Sequence, residues 1–216
     1  CDPDVRFVGT LHSLYRRRDG AWSRVGYPPG DRIEVDCARG VAWVPEMVKE
    51  KLWSVDLDTL EIRKPYEACA PAGPTLIRFN QERTALYGFP GGEHLGRYDP
   101  DGDGCQVAVQ GGVIVSYSVD EDRGEAVLAR NGSVEVCSLD GTQRCDRSVA
   151  LTDPGLPGWL QRGIFNRPFF VVHFNKLVQD PATHSVLATS IHSGRLYRLD
   201  RDDLRIRESV FLERGI

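Results

Sequence analysis

An all-β fold built from one repeated unit is predicted by three observations. An apolar strand that runs into an Asp- and Gly-rich turn and back begins at Leu14, Leu52, Leu95, Val134 and Leu196, at steps of 38, 43, 39 and 62 residues. Apolar residues alternate with polar ones through many of the segments between, which is the period of a strand. Gly 22 and Pro 13 punctuate the 216 residues, and capped stretches of helical period are nearly absent. A step near 40 in an all-strand chain marks a supersecondary unit stacked on copies of itself. That predicts a β-propeller of four-stranded antiparallel blades in a single domain, residues 1–216, with about five blades visible. Both a small five-bladed ring and part of a larger ring satisfy this pattern.

The units fall at 1–30, 31–73, 74–111, 112–151 and 171–216, with an insertion at 152–170. The first has three segments, Arg6–Gly9, Leu14–Arg17 and Trp22–Val25, and lacks an innermost strand. The second reads Arg32–Asp36, Val41–Val44, Leu52–Leu57 and Leu60–Arg63. The third reads Thr75–Phe79, Ala85–Phe89, His94–Tyr98 and Gln106–Val109. The fourth reads Val113–Val119, Glu125–Ala129, Val134–Leu139 and Arg144–Leu151. The fifth reads Leu177–Gln179, Val186–Thr189, Arg195–Leu199 and Leu204–Phe211.

Two hairpins carry a family likeness. Leu52-Trp53-Ser54-Val55-Asp56-Leu57-Asp58-Thr59-Leu60-Glu61-Ile62 and Gly194-Arg195-Leu196-Tyr197-Arg198-Leu199-Asp200-Arg201-Asp202-Asp203-Leu204 resemble the third-to-fourth-strand hairpin of bacterial YVTN-type and NHL-type propellers. Asp36-Cys37-Ala38-Arg39-Gly40-Val41-Ala42-Trp43-Val44 is similar to the lead-in of those repeats. The resemblance implies a ring of blades around a channel with function on the rim. Such folds host sensors, scaffolds, lyases and lactonases, so fold alone does not choose among them.

Composition narrows the setting. Hydrophobic residues make up 41% of the chain, enough for a core, and the formal net charge is −4. No basic face stands out, and Arg16-Arg17-Arg18 is most simply a solvated strand end, which argues against nucleic acid. No apolar run is long enough to span a membrane as a helix. The six cysteines, Cys1, Cys37, Cys69, Cys105, Cys137 and Cys145, include no C-x-x-C pair. Cys137 and Cys145 stand four residues either side of Gly141, so a hairpin there brings them within disulfide reach. That favours an oxidising compartment, hence a periplasmic, extracellular or membrane-anchored extracytoplasmic location. Cys1 is also what a lipoprotein leaves after its leader is cut, so a lipid anchor at Cys1 is an expectation.

Three sets of residues carry candidate chemistry. The insertion joins a fourth strand to the next innermost strand and lies over one mouth of the channel in this reading. Its Trp159 and Phe165 give apolar weight, and Arg162 and Arg167 give donors, as a recognition loop needs. His12, His94 and His192 recur at the turn between second and third strands of units one, three and five, and His173 enters from the start of the fifth unit. Imidazoles converging on an axis would hold zinc or another transition metal. Asp99, Asp101 and Asp103 form the first half of a D-x-D-x-D-G calcium loop, although Val107 and Gln110 stand where the later ligands belong. No G-x-S-x-G, P-loop or G-x-G-x-x-G is present.

The expected function is an extracytoplasmic binding or scaffold module recognising a protein or small-molecule ligand on the rim that carries 150–170. The alternative is a metal-dependent propeller lyase or hydrolase using histidines from several blades.

Overall fold

A computed structural model describes residues 6–9, 14–25, 33–46, 51–63, 66–67, 74–90, 94–102, 104–130, 133–151, 174–190 and 194–212. Among these residues the chain is all-β: it has no α-helix, and a single 3-10 turn at Pro181–Thr183. No helix among them is long and apolar enough to cross a membrane. The strands form five antiparallel sheets, each an up-and-down meander in chain order. The chain divides into two compact units, Cys1–Val107 and Ala108–Ile216.

The first unit opens with a three-stranded sheet of β1 (Arg6–Gly9), β2 (Leu14–Arg18) and β3 (Ala21–Val25). Asp19 and Gly20, at φ 51° and 78°, join β2 to β3 in a two-residue turn. Positive φ at both central positions is what a type I′ hairpin demands, and Asp-Gly supplies it. The second sheet contains β4 (Glu34–Asp36), β5 (Val41–Glu46), β6 (Lys51–Asp56) and β7 (Tyr66–Glu67). The third contains β8 (Pro74–Phe79), β9 (Leu86–Pro90), β10 (His94–Tyr98) and β11 (Cys105–Gln110). Val41, Trp43 and Leu52 of the second sheet pack on Ile77, Leu86 and Tyr98 of the third.

The second sheet corrects one expectation. Its fourth strand is not a run from Leu60 to Arg63. Leu60 is held at φ 65° in the turn that Asp56 closes, and 61–63 make only the Val55–Ile62 bridge and the Arg63 N–H bond to the Ser54 carbonyl. Regular pairing resumes at Tyr66–Glu67 against Leu52 and Lys51. Pro65 lies between in the sequence and has no N–H to offer a ladder.

The second unit holds β12 (Ser116–Asp120), β13 (Glu125–Arg130), β14 (Ser133–Ser138) and β15 (Cys145–Ala150) in one sheet. Its other sheet is β16 (Phe174–Asp180), β17 (Ser185–Ser190), β18 (Arg195–Asp200) and β19 (Ile206–Phe211). Val127, Ala129, Val134 and Val136 of the first pack on Leu177, Val186, Ala188, Tyr197 and Leu199 of the second, all 4% exposed or less. At about 25 cal/mol per Å² of apolar area buried, such a face-to-face layer is the main source of stability. The first strands of the two sheets, β12 and β16, meet directly: the Leu177 N–H donates to Ser116 Oγ at 3.2 Å, and the Gln179 side chain donates to the Ser118 carbonyl. Cys137 and Cys145 are bonded across the β14–β15 hairpin, as their spacing predicts. Cys37 and Cys105 each also take part in a disulfide.

Candidate functional site

Two kinds of turn recur at the same end of the strands, and local chemistry builds both. Between first and second strands an Asp caps the turn. Asp36 Oδ1 accepts the Arg39 N–H, and Asp120 Oδ1 accepts the Arg123 N–H. Asp180 accepts the Ala182 N–H and the Thr183 hydroxyl. These turns end on Gly40, Gly124 and His184, all at positive φ between 48° and 64°. Each of those three carbonyls then accepts the N–H of the residue after the third strand, Leu57, Leu139 and Arg201.

The hairpins between third and fourth strands repeat as closely. Asp56 Oδ1 accepts the N–H groups of Asp58 and Thr59 while Oδ2 takes Arg63 at 2.6 Å. Asp200 Oδ1 accepts from Asp202 and Asp203, and Oδ2 takes Arg207. Backbone N–H donors and an arginine together hold both carboxyls down at about 2. For Asp56 the Thr59 N–H contributes most; for Asp200 the Arg207 guanidinium does.

Arginines tie these turns from one sheet to the next within each unit. Arg16 of β2 donates to the Leu57 and Asp58 carbonyls, and Arg18 pairs with Asp58. Arg39 grips Asp101, and Arg83 donates to the Val35 carbonyl. In the second unit Arg147 donates to the carbonyls of Arg201 and Asp202, and Arg123 pairs with Asp202. Planar guanidinium groups suit this work because they present several donors in a fixed fork.

One arginine departs from the pattern and forms a recess. Arg201 stands where the counterpart hairpins have Leu57 and Leu139, yet it is only 4% exposed. Its Nη2 lies 2.9 Å from Glu125 and 3.7 Å from Asp120, and its Nε donates to Gln179 Oε1 at 3.1 Å. Arg147 shares the Glu125 carboxylate. Nη1 of Arg201 is buried and meets no protein acceptor. A cleft of about 150 Å³ opens beside it, lined by Asp120, Arg123, Gln179, Asp180, His184 and Ser185 among others. It presents both donors and acceptors, a lining suited to hydrogen-bonded polar groups.

The sequence-derived candidates fall as follows. Trp159, Arg162, Phe165 and Arg167 lie outside the described residues, as do His12, His173, His192 and Asp103. His94 opens β10 and is buried, at 9% exposure. Asp99 Oδ1 accepts the Asp101 N–H, as in an ordinary Asp turn, and both Asp101 oxygens are taken by Arg39. His184 is exposed and borders the cleft. Glu135, Cys137 and Cys145 lie close enough to bind a metal, but the two sulfurs are joined in the disulfide and are not thiolate ligands. Arg201 and Glu125 escape a reading by motif. Their signal is a charged residue at a position that is leucine in two sister hairpins.

No protein-family model matches the chain, and no curated protein matches it. Among solved structures 1120 chains match. One, described as "KlHsv2 with loop 6CD replaced by a Gly-Ser linker", superposes at a TM-score of 0.57 with 12% identity, over 96% of this chain and 62% of that one. The chain thus spans about three-fifths of that structure's length, and the likeness is one of fold.

Proposed function

We propose that the five sheets are successive blades of a β-propeller, or of most of one, of the YVTN/NHL type, acting as an extracytoplasmic binding module. Recognition of a protein or small ligand falls to the strand ends that carry the 152–170 insertion, with Trp159, Arg162, Phe165 and Arg167 in contact. One observation carries this reading. In both units the first-to-second and third-to-fourth turns are committed to holding neighbouring sheets together through Arg16, Arg39, Arg123 and Arg147. A fold that spends one set of turns on its own frame leaves the connections at the other strand ends to vary with function. The Cys137–Cys145 bond supports an oxidising compartment.

The test compares the intact protein with a variant in which residues 152–168 are replaced by a short Gly-Ser linker. Affinity capture from the native compartment and a thermal-shift screen of small molecules are run on both. A partner or ligand lost with the loop, at an unchanged unfolding temperature, supports the proposal. One retained by the variant overturns the assignment of the loop. Metal analysis runs beside it: about one equivalent of zinc, lost in both His12→Ala and His192→Ala, would move the protein to the metal-dependent lyase or hydrolase class.

A further inference from the structure

Arg201 occupies a position at which the turn itself needs no arginine. In two sister hairpins the residue after the third strand is Leu57 or Leu139, and its N–H makes the bond to a turn carbonyl that the Arg201 N–H makes to His184 at 3.1 Å. An arginine there is buried, at 4% exposure, and its charge has to be answered by other segments. Its Nε donates to Gln179 Oε1 and its Nη2 to Glu125 Oε2, so the guanidinium is held from two sides. Gln179 is itself fixed, donating to the Ser118 carbonyl at 3.3 Å. Nη1 alone is left without a protein acceptor. A buried donor in that condition calls for a partner from outside the chain, a water or a ligand.

A spare acceptor stands beside this spare donor. Asp120 ends β12, and its Oδ1 accepts the Arg123 N–H. Its Oδ2 lies 3.7 Å from Arg201 Nη2, near enough to feel the charge and too far for a hydrogen bond. Both residues line the cleft of about 150 Å³, with Gln179, Asp180, His184 and Ser185. That is room for about five water-sized groups. Charge decides what fills it. Each guanidinium at the cleft already has a carboxylate, Arg123 with Asp202 and Arg201 with Glu125, so no net positive charge is left over for an anion. A bare cation would meet the Nη1 hydrogens. A neutral hydroxyl meets both needs at once, because it accepts from Nη1 and donates to Oδ2. A sugar presents several hydroxyls at fixed spacing, and so displaces several ordered waters at a low ordering cost.

We infer that this cleft is a binding site for a neutral sugar, a single ring with one hydroxyl bridging Arg201 Nη1 and Asp120 Oδ2. Arg201 and Asp120 touch the ligand, and Gln179 and Glu125 are positioning residues that hold the guanidinium. The turns that form the cleft stand at the strand ends away from the 152–170 connection, so the inference does not rest on the recognition surface proposed above.

The test is an amide-shift NMR titration of the isotope-labelled whole chain with D-glucose, D-galactose, D-mannose and N-acetyl-D-glucosamine, and with inorganic phosphate as the anionic comparison. A site this small should bind at least one of the sugars with a Kd between about 0.1 and about 10 mM, with shifts centred on Asp120, Gln179 and Arg201. Asp120→Asn keeps the Oδ1 acceptor of the turn and replaces Oδ2 with a donor, and should weaken binding at least about tenfold. Arg201→Leu combined with Glu125→Gln should remove measurable binding, with far-UV circular dichroism and unfolding temperature reporting an intact fold. No saturable shifts with any of the sugars at up to about 50 mM would overturn the proposal and leave water as the partner of Nη1. Phosphate binding more tightly than every sugar would overturn it. So would wild-type affinity in Asp120→Asn, or sugar-induced shifts confined to other parts of the chain.

Discussion

Arg39 holds Asp101 through two parallel hydrogen bonds, Nε to Oδ1 at 2.6 Å and Nη2 to Oδ2 at 2.7 Å, across 62 residues of sequence. The same guanidinium donates to Asp36 at 2.8 Å and to the Arg83 carbonyl at 3.1 Å. One side chain thus ties a first-to-second turn of one sheet to the turns of the next. Lysine keeps the charge but not the fork. Arg39→Lys should therefore let the Asp101 carboxyl, now depressed chiefly by its Arg39 hydrogen bond, rise towards the ordinary carboxylate range, read by carboxyl-carbon NMR titration. Calcium should leave the wild-type unfolding transition in place, because Asp101 is already engaged. A calcium-dependent rise in unfolding temperature in wild type would contradict this.

Acid should weaken the fold in a defined window. The Asp56 and Asp200 carboxyls lie at about 2 in the folded protein, below the ordinary 3.8. A depressed folded value stabilises above the unfolded pKa, and that contribution is lost as pH falls through the folded one. Urea midpoints should be nearly flat above about pH 5 and fall steeply between about pH 4 and pH 2. Arg63→Ala and Arg207→Ala should each make that acid fall shallower.

Arg201→Ala should destabilise by about 2 kcal/mol, since it strips one partner from the half-buried Glu125 carboxylate and leaves a void where the buried Arg201 side chain stood. Arg147 remains on Glu125 and limits the loss. Arg201→Leu combined with Glu125→Gln should recover most of it, because leucine is the side chain at the two counterpart positions and a buried ion pair is replaceable by apolar packing. Equal losses in the single and double variants would refute this.

Backbone conformation alone should govern Gly40 and Gly124. Both have φ above +60°, and a Cβ at either would touch nothing within 4 Å. Gly40→Ala and Gly124→Ala should each cost about 1 kcal/mol, the left-handed penalty of an L-residue. His184, at φ 48° in the third such turn, should respond with the opposite sign: His184→Gly stabilises by a few tenths to about 1 kcal/mol. Chemical denaturation measures all three.

Removing the Cys137–Cys145 bond, with alanine at both positions, should cost about 2–2.5 kcal/mol for so short a loop, before any loss of packing at the buried Cys137. Urea unfolding of the double-alanine variant at neutral pH measures it directly.

Most strands were legible as strands because their signals are local. Asp19-Gly20 dictates a two-residue turn, and Cys137 and Cys145 sit symmetrically about Gly141. Asp36, Asp120 and Asp180 each open a turn that their own side chain closes. The fourth strand of the second sheet was misplaced because Ile62 suits a strand by its side chain, while the Asp56 turn holds Leu60 left-handed and leaves 61–63 to irregular pairing. The Arg201 cluster was not legible at all. An arginine beside an aspartate in a turn looks solvated until the fold brings Glu125 from 76 residues away and Gln179 from 22.

What the sequence by itself determined is what period and turn chemistry encode: an all-β chain, its hairpins, the handedness at Gly20, Gly40 and Gly124, and one disulfide. Alternation tells which residues share a face of a strand. It does not tell which face the next sheet will cover, because Val127 and Leu187 occupy the same place in their sheets, one buried under a neighbour and the other lining an open cleft. Tertiary structure decided that, along with the Arg39–Asp101 clasp and the burial of Arg201. These depend on which segments distant in sequence are brought together, and no local propensity records that.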